Sequence, residues 1–260
     1  MGDLRAVCGK VDNMYTERVL LKQNAKKIIT DKNSKAIIVS VVLALILLVL
    51  GLLAMNLSGY AEFSRAYLDL VTAGNIYLPR WPEVKSVAWL LAAAIMLMRK
   101  IVEVGYMSHC MAAARGQETG VRDLMNGMQF VIKITVMTVI ETVLVTIGFA
   151  LFIVPGVVIM YKFKMAYYIM LDNPEFGAVK CLSMSSKMAK GYKIDMFILD
   201  LSFIGWHILN QFVAAMIVAP VVAVWLNPYM GMTWALYYGR ISGQKAASVL
   251  EDGRDDTIDY

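Results

Sequence analysis

From Ala36 to Leu57 the chain runs for twenty-two residues without a charged side chain. As an α-helix that run would be about 33 Å long, enough to cross the hydrocarbon core of a bilayer. The composition of the rest makes a membrane its natural solvent. Of the 260 residues, 59% are hydrophobic and only 17% are charged, whereas a soluble domain carries charge on roughly a quarter of its residues. Much of the surface should therefore meet lipid. Backbone amides in hydrocarbon must be paired within the protein, so spanning segments are helices or closed barrels. A barrel would alternate apolar and polar residues, and here the apolar runs are continuous. The expected fold class is all-α, a polytopic membrane helix bundle.

Six spans are expected, at about 36–57, 84–106, 130–154, 156–171, 194–218 and 221–239, within a membrane domain of residues 36–240. The first 35 residues are polar and basic and lack the layout of a cleavable signal peptide, so the first span should remain as a helix. In this leader Arg18, Lys22, Lys26, Lys27, Lys32 and Lys35 interleave with Val11, Met14, Leu21, Ala25 and Ile28. The pattern fits a basic amphipathic helix on an anionic membrane surface; it equally fits a solvated leader that only sets orientation. Residues 241–260 form an acidic tail expected to be disordered. Between the first two spans, Tyr60, Phe63, Tyr67 and Leu70 recur at helical spacing, which predicts a short helix on the outer surface followed by an aromatic anchor at Trp81.

Orientation follows from the lysines and arginines near the span ends. They gather in the leader, at Arg115, Arg122 and Lys133, and at Lys180, Lys187, Lys190 and Lys193. The opposite loops are balanced or uncharged. Both termini are expected in the cytoplasm, with anionic headgroups as partners of that face. Cys8, Cys110 and Cys181 have no paired spacing and read as free thiols on the same side. With only His109 and His207 as imidazole ligands, no metal site is expected.

Several charges fall inside the expected spans, where each costs at least ~2.5 kcal/mol at mid-membrane unless paired or hydrated. They are Arg99, Lys100 and Glu103 in the second, Glu141 in the third, Lys162 and Lys164 in the fourth, and Asp200 with His207 in the fifth. At 1.5 Å per residue, Asp200 would lie roughly 9 Å and Glu141 about 16 Å from the cytoplasmic ends, so the charges form one inner-leaflet layer. Arg99 and Glu103 are four apart and can pair along a helix face. Glu141 should reach Lys162 or Lys164 across a hairpin. Asp200, His207 and Gln211 share a stripe that should face the bundle interior. One reading of the layer is a polar cavity open to the cytoplasm; the other is structural pairing with lysines snorkelling to the headgroups. Thr135, Thr138, Thr142 and Thr146 make a further stripe suited to close helix packing.

Three stretches stand out from generic span sequence. Gly105-Tyr106 precedes Ala114-Arg115-Gly116-Gln117-Glu118, where a helix leaves the membrane. Pro155-Gly156 should make the hairpin turn, Asp172-Asn173-Pro174 should stop the fourth span and cap an amphipathic helix over 174–190, and Gly191 should end that helix. Its apolar side is read as Phe176, Val179, Leu182 and Met188. The third stretch is Asp200-Leu201-Ser202-Phe203-Ile204-Gly205-Trp206, with Pro228-Tyr229 downstream. This succession resembles the integral-membrane family called domain of unknown function 975 over roughly residues 100–240, with a weaker match in the leader and first span. It is also distantly similar to the non-catalytic membrane domain of some glycerophosphodiester phosphodiesterases. The resemblance implies a bacterial, multi-pass protein of the cytoplasmic membrane and implies no activity.

No phosphate loop, metalloprotease helix or nucleophile elbow occurs. Asp200 and Ser202 point about 200° apart on a helix, which is a very poor geometry for a triad with His207. A net charge of +5 is accounted for by inside-positive loops, so nucleic acid is not an expected partner. The expected function is non-enzymatic and needs no cofactor: organising or regulating membrane partners, a second copy included. The alternative is a permease or exporter of a small amphiphile or charged solute.

Overall fold

The computed structural model describes residues 17–31, 35–57, 86–217 and 221–243, together with Arg65, Ala66, Asp69 and Thr72. The outer helix expected around Tyr60 to Leu70, the Trp81 anchor, residues 1–16 and the acidic tail from 244 onward lie outside the described residues, as does Pro220. Among the described residues all regular structure is helical. The elements are α1 (17–30), α2 (Ala36–Leu57), α3 (Ser86–Ala114), a 3-10 segment (Val121–Phe130), α4 (Val131–Leu151), α5 (Ile153–Phe163), α6 (Ala166–Asp172), α7 (Ala178–Met188), α8 (Lys193–Leu201), α9 (Ile204–Ile217) and α10 (Val221–Ile241). Three stretches are long and apolar enough to cross a membrane: Ala36–Asn56, Val121–Leu151 and Ile153–Asp172.

Burial alternates along the chain. The first part of α2 is buried (Ala36, Val39, Leu43), then the second half of α3 (Ile101, Val104, Cys110), the first half of α4 (Ile134, Met137), the end of α5 with α6 (Tyr161 to Met170), the start of α8–α9 (Met196, Leu199, Phe203) and the second half of α10 (Met232, Leu236, Tyr237). These residues form one continuous core. The complementary halves expose large apolar side chains, among them Leu52, Met96, Ile147, Val154 and Phe212. An up-and-down run of helices packed chiefly at one end produces this alternation.

The leader differs from both sequence expectations. Leu21, Ala25, Ile28 and Ile29 of α1 belong to the core, so the face assigned to a membrane surface or to water is packed against protein. Two expected spans are interrupted. The fourth carries a two-residue turn at Lys164-Met165 between α5 and α6, and the fifth one at Ser202-Phe203 between α8 and α9, where Lys164 (φ −55°, ψ −31°), Met165 (φ −88°, ψ −3°) and Ser202 (φ −67°, ψ −13°) keep right-handed helical backbone. The hairpin between α4 and α5 turns at Phe152, whose backbone is extended (φ −163°, ψ 159°). Pro155 sits in the first turn of α5, where its missing N–H has no helical acceptor to lose. Gly148 and Gly156 let the two arms touch, since a Cβ on Gly148 would stand 2.9 Å from the Gly156 Cα.

Helix α3 ends as its sequence predicts. Gly116 adopts φ +70°, and Gln117 N–H donates to Ala112 O at 3.0 Å, closing the helix through a left-handed residue. Gly191 has φ +90° in the turn after α7, as expected. The start of α7 lies four residues later than the sequence predicts. Its N-cap is Gly177, and Asp172, the last residue of α6, turns its carboxylate elsewhere. The buried side of α7 is Cys181, Leu182, Ser185 and Ala189, while Val179 is 67% exposed. Ser185 donates to Lys162 O at 2.9 Å and fixes α7 under α5.

Cys110 and Cys181 are free and fully buried, and burial pushes the Cys181 thiol up against the opposing effect of Lys133. In a chain whose Cys8 is replaced by serine, a water-soluble maleimide is therefore expected to label neither until denaturant is added. Prompt labelling of Cys181 in the native protein would contradict the docked position of α7.

Candidate functional site

The charges expected as one layer fall into two clusters, and two further clusters form around acids outside that layer. Asp195, which stands outside the expected layer, is the most buried acid among the described residues, at 1% exposure. Its Oδ1 accepts from Arg18 Nη1 at 2.9 Å, and its Oδ2 accepts from the Tyr237 hydroxyl at 2.8 Å. Arg240 Nη1 stands 4.0 Å from Oδ2, and the same guanidinium pairs with Glu17. Leader, α8 and α10 are thus tied at a single carboxylate. Further along α1, Lys22 donates to Ser202 Oγ at 2.6 Å and lies 4.5 Å from the Phe203 ring centroid. Burial, with Arg18 and Lys26 close by, holds its ammonium below the usual lysine range.

The second cluster closes on Asp172, which pairs with Arg115 and accepts from the Tyr238 hydroxyl at 2.9 Å. This is why the residue is not a cap: its carboxylate joins the end of α3 to α10. Tyr168 and Tyr238 stack beside it at 5.3 Å. Asn173 donates from its side chain to Ile169 O at 3.1 Å, and Lys133 donates to Pro174 O.

In the third, Glu141 does not reach Lys162 or Lys164. It accepts from the Tyr167 hydroxyl at 2.9 Å, with Thr138 3.1 Å from the same hydroxyl. Lys100 lies 4.6 Å from the Tyr167 ring centroid and pairs with Glu103 at 3.7 Å. The expected Arg99–Glu103 pair is replaced by this one, because Arg99 lies instead against Gly51 of α2. Lys162 rests 5.5 Å from the Phe163 ring centroid. Of the threonine stripe, Thr142 and Thr146 are exposed and Thr135 bonds back to Val131 O, so only Thr138 acts across helices.

The fourth cluster has a cavity. Lys164, in the α5–α6 turn, pairs with Asp200, at the end of α8 before the Ser202-Phe203 turn. Tyr161 donates to the same Asp200 Oδ2 at 2.8 Å, and the Lys164 ammonium lies 4.0 Å from the Trp234 ring centroid. A cleft of about 380 Å³ opens here, walled by these polar groups and His207 and by Phe197, Leu201, Ile204 and Met230. The pairing of Lys164 with Asp200 brings together two expected site residues. The expected inward stripe fails beyond that point. His207 lines the same cleft as Asp200, but both His207 and Gln211 are exposed.

The signature residues of the third stretch meet on the other side of the same turn. Phe203 packs edge-on to Tyr229 at 5.3 Å, Trp225 lies 5.1 Å from Tyr229, and Trp206 lies 6.0 Å from Trp225. Pro228 lies within α10 next to Tyr229. The ammonium of Lys26 sits 5.6 Å from the Tyr229 ring centroid. The cleft thus gathers two hydroxyl or ammonium donors, Tyr161 and Lys164, on one carboxylate, with His207 beside them.

A family model described as Protein of unknown function (DUF975) matches residues 83–245 of the chain. Helices α1 and α2, where the resemblance is weaker, fall outside that stretch. No curated protein and no solved structure matches.

Proposed function

We propose that this chain, which belongs to the DUF975 family, is a non-enzymatic, six-span protein of a bacterial cytoplasmic membrane that organises partners at its cytoplasmic face. The observation that carries the reading is the division of charge at the packed end. Asp172, Asp195, Asp200 and Glu141 are all engaged by side chains of the chain itself, while Lys27, Lys35, Lys187 and Lys190 stay exposed. A polar layer consumed in internal bonds holds helices in register, and the uncommitted cations suit anionic headgroups or an acidic partner segment. The alternating burial supports an even number of spans with both termini at that end. A photo-crosslinking residue placed at Lys27 or Lys187 in intact cells is expected to give one discrete membrane-protein adduct. Adducts to lipid alone would remove the partner reading.

A second reading has its own observation. Transporter sites are commonly built where helices break near the middle of the membrane, and the turns at Lys164 and Ser202 flank one cleft. Solute uptake or efflux by reconstituted vesicles that is lost when the cleft is filled, with crosslinking intact, would favour a permease.

A further inference from the structure

We propose that Lys22 and Lys26, with Ser202 and the Trp206–Trp225 pair beside them, form a headgroup site for one anionic phospholipid. The inference rests on the membrane reading above and narrows it to two cations; it needs neither a protein partner nor transport. The two lysines are one turn apart on α1, so they leave the same face with their Cβ atoms about 5–6 Å apart. Each ammonium settles on an aromatic ring, Lys22 at 4.5 Å from the Phe203 centroid and Lys26 at 5.6 Å from that of Tyr229. Those rings meet edge-on at 5.3 Å. Both cations are therefore gathered at one place, where the Ser202-Phe203 turn faces α10. Lys26 and Ser202 are exposed there, and Lys22 is half-buried.

What this place lacks is an anion. Among the described residues neither lysine pairs with a carboxylate, because the acids of α1 and α8 are taken: Glu17 by Arg240, Asp195 by Arg18 and Tyr237, Asp200 by Lys164 and Tyr161. Arg18, Lys22 and Lys26 follow one another at single-turn intervals. Burial first, and then these two neighbours, hold the Lys22 ammonium below the usual lysine range. Lys22 spends one N–H on Ser202 Oγ, and an ammonium has three, so both lysines keep donors for phosphate oxygens. A head of net negative charge relieves the crowding, whereas a zwitterionic head brings one more cation to it. The rings alongside say that the phosphate belongs to a lipid. Trp206 and Trp225 are 42% and 40% exposed, lie 6.0 Å apart and continue to Tyr229 at 5.1 Å. Half-open indoles beside lysines suit the boundary between headgroups and acyl chains.

The test is native mass spectrometry of the full chain released from detergent, with dioleoylphosphatidylglycerol and dioleoylphosphatidylcholine supplied in equal amounts. One phosphatidylglycerol is expected to be retained in preference to phosphatidylcholine. The double variant Lys22→Gln with Lys26→Gln should lower that retention about tenfold or more and leave phosphatidylcholine unchanged. Glutamine can still donate to Ser202, and the unfolding midpoint checks that the fold is kept. The double variant Lys22→Arg with Lys26→Arg should restore the preference, which a role in packing alone would not require. Trp206→Ala, at an exposed ring, should weaken retention with the midpoint unchanged. Lys187→Gln with Lys190→Gln, on exposed lysines of α7, should leave it intact. Equal retention of the two lipids by the wild-type chain would overturn the proposal, as would an equal loss in the α7 variant. A preference for phosphatidylcholine would assign the indoles to choline instead. Displacement by inorganic phosphate would assign the lysines to a soluble anion, and displacement by a peptide of residues 244–260 to the chain's own acidic segment. Release of the chain from membranes by alkaline carbonate without detergent would sink the membrane reading as well; a chain that resists carbonate but shows no preference sinks this inference alone.

Discussion

Replacing Asp195 by alanine is expected to destabilise the chain by about 3–5 kcal/mol and to release its leader helix. The side chain is 1% exposed and is shared by Arg18, Tyr237 and, more distantly, Arg240. Deleting it leaves the Arg18 guanidinium and the fully buried Tyr237 hydroxyl without their acceptor, while Arg240 keeps Glu17. The cost is dominated by those stranded donors rather than by the net worth of the pair, since an exchange of both partners for apolar residues is commonly mild. Asp195→Asn, which keeps an acceptor for Tyr237 but drops the charge, should fall between wild type and alanine. Thermal unfolding in detergent measures the first effect. Trypsin measures the second, because Lys22, Lys26 and Lys27 lie on α1 and should be cut in the variant well before the body of the protein. An unchanged midpoint with an uncut leader would show that the Asp195 node does not hold the leader.

The next largest effect is expected where α3 crosses the 3-10 segment. A Cβ on Gly105 would stand 2.0 Å from Leu124 O, and one on Gly127 would stand 2.1 Å from Ile101 O. Both obstacles are backbone, so neither can swing aside as a side chain does. Gly105→Ala and Gly127→Ala should each cost about 3 kcal/mol or more, at the upper end of overpacking penalties. Their double variant should cost less than the sum, because the first substitution already separates the two backbones. Gly120→Ala and Gly205→Ala are the controls. Neither would meet an atom within 4 Å, Gly120 is extended at φ −163°, and Gly205 is helical, where alanine stabilises slightly. Detergent-solubilised yield and unfolding midpoint read all four. Equal loss at Gly120 and Gly105 would mean that the close crossing is not what these glycines provide.

How much of this was legible beforehand depends on the range of the interaction. Gly116 and Gly191 were readable as helix ends because a left-handed residue is a local demand. The sequence offers Lys164 and Asp200 only as two charges at similar expected depth, and gives Glu141 either Lys162 or Lys164 as its partner. What separated them is that Tyr167 occupies Glu141 first, a contact between α4 and α6 that no spacing rule contains. Asp195 went unnoticed for a related reason. It stands two residues after Lys193 at the start of α8, where an acid reads as a solvated helix start, and its partners are 177 and 42 residues away. The turns at Lys164-Met165 and Ser202-Phe203 carry neither Pro nor Gly, so propensity gave no warning of them. Pro155 carried the opposite error, since a proline two residues into a helix looks in sequence like a proline that ends one.

The sequence by itself determined that the chain is helical and apolar and to which family it belongs. Those properties are sums over neighbouring residues, and hydrophobic run length and residue order record them directly. Only the tertiary structure decided which acid meets which base, that the leader packs into the core, and that two spans turn where a cleft opens. Each of those outcomes is a competition between partners far apart in sequence, settled by burial and by which donor arrives at a carboxylate with good geometry.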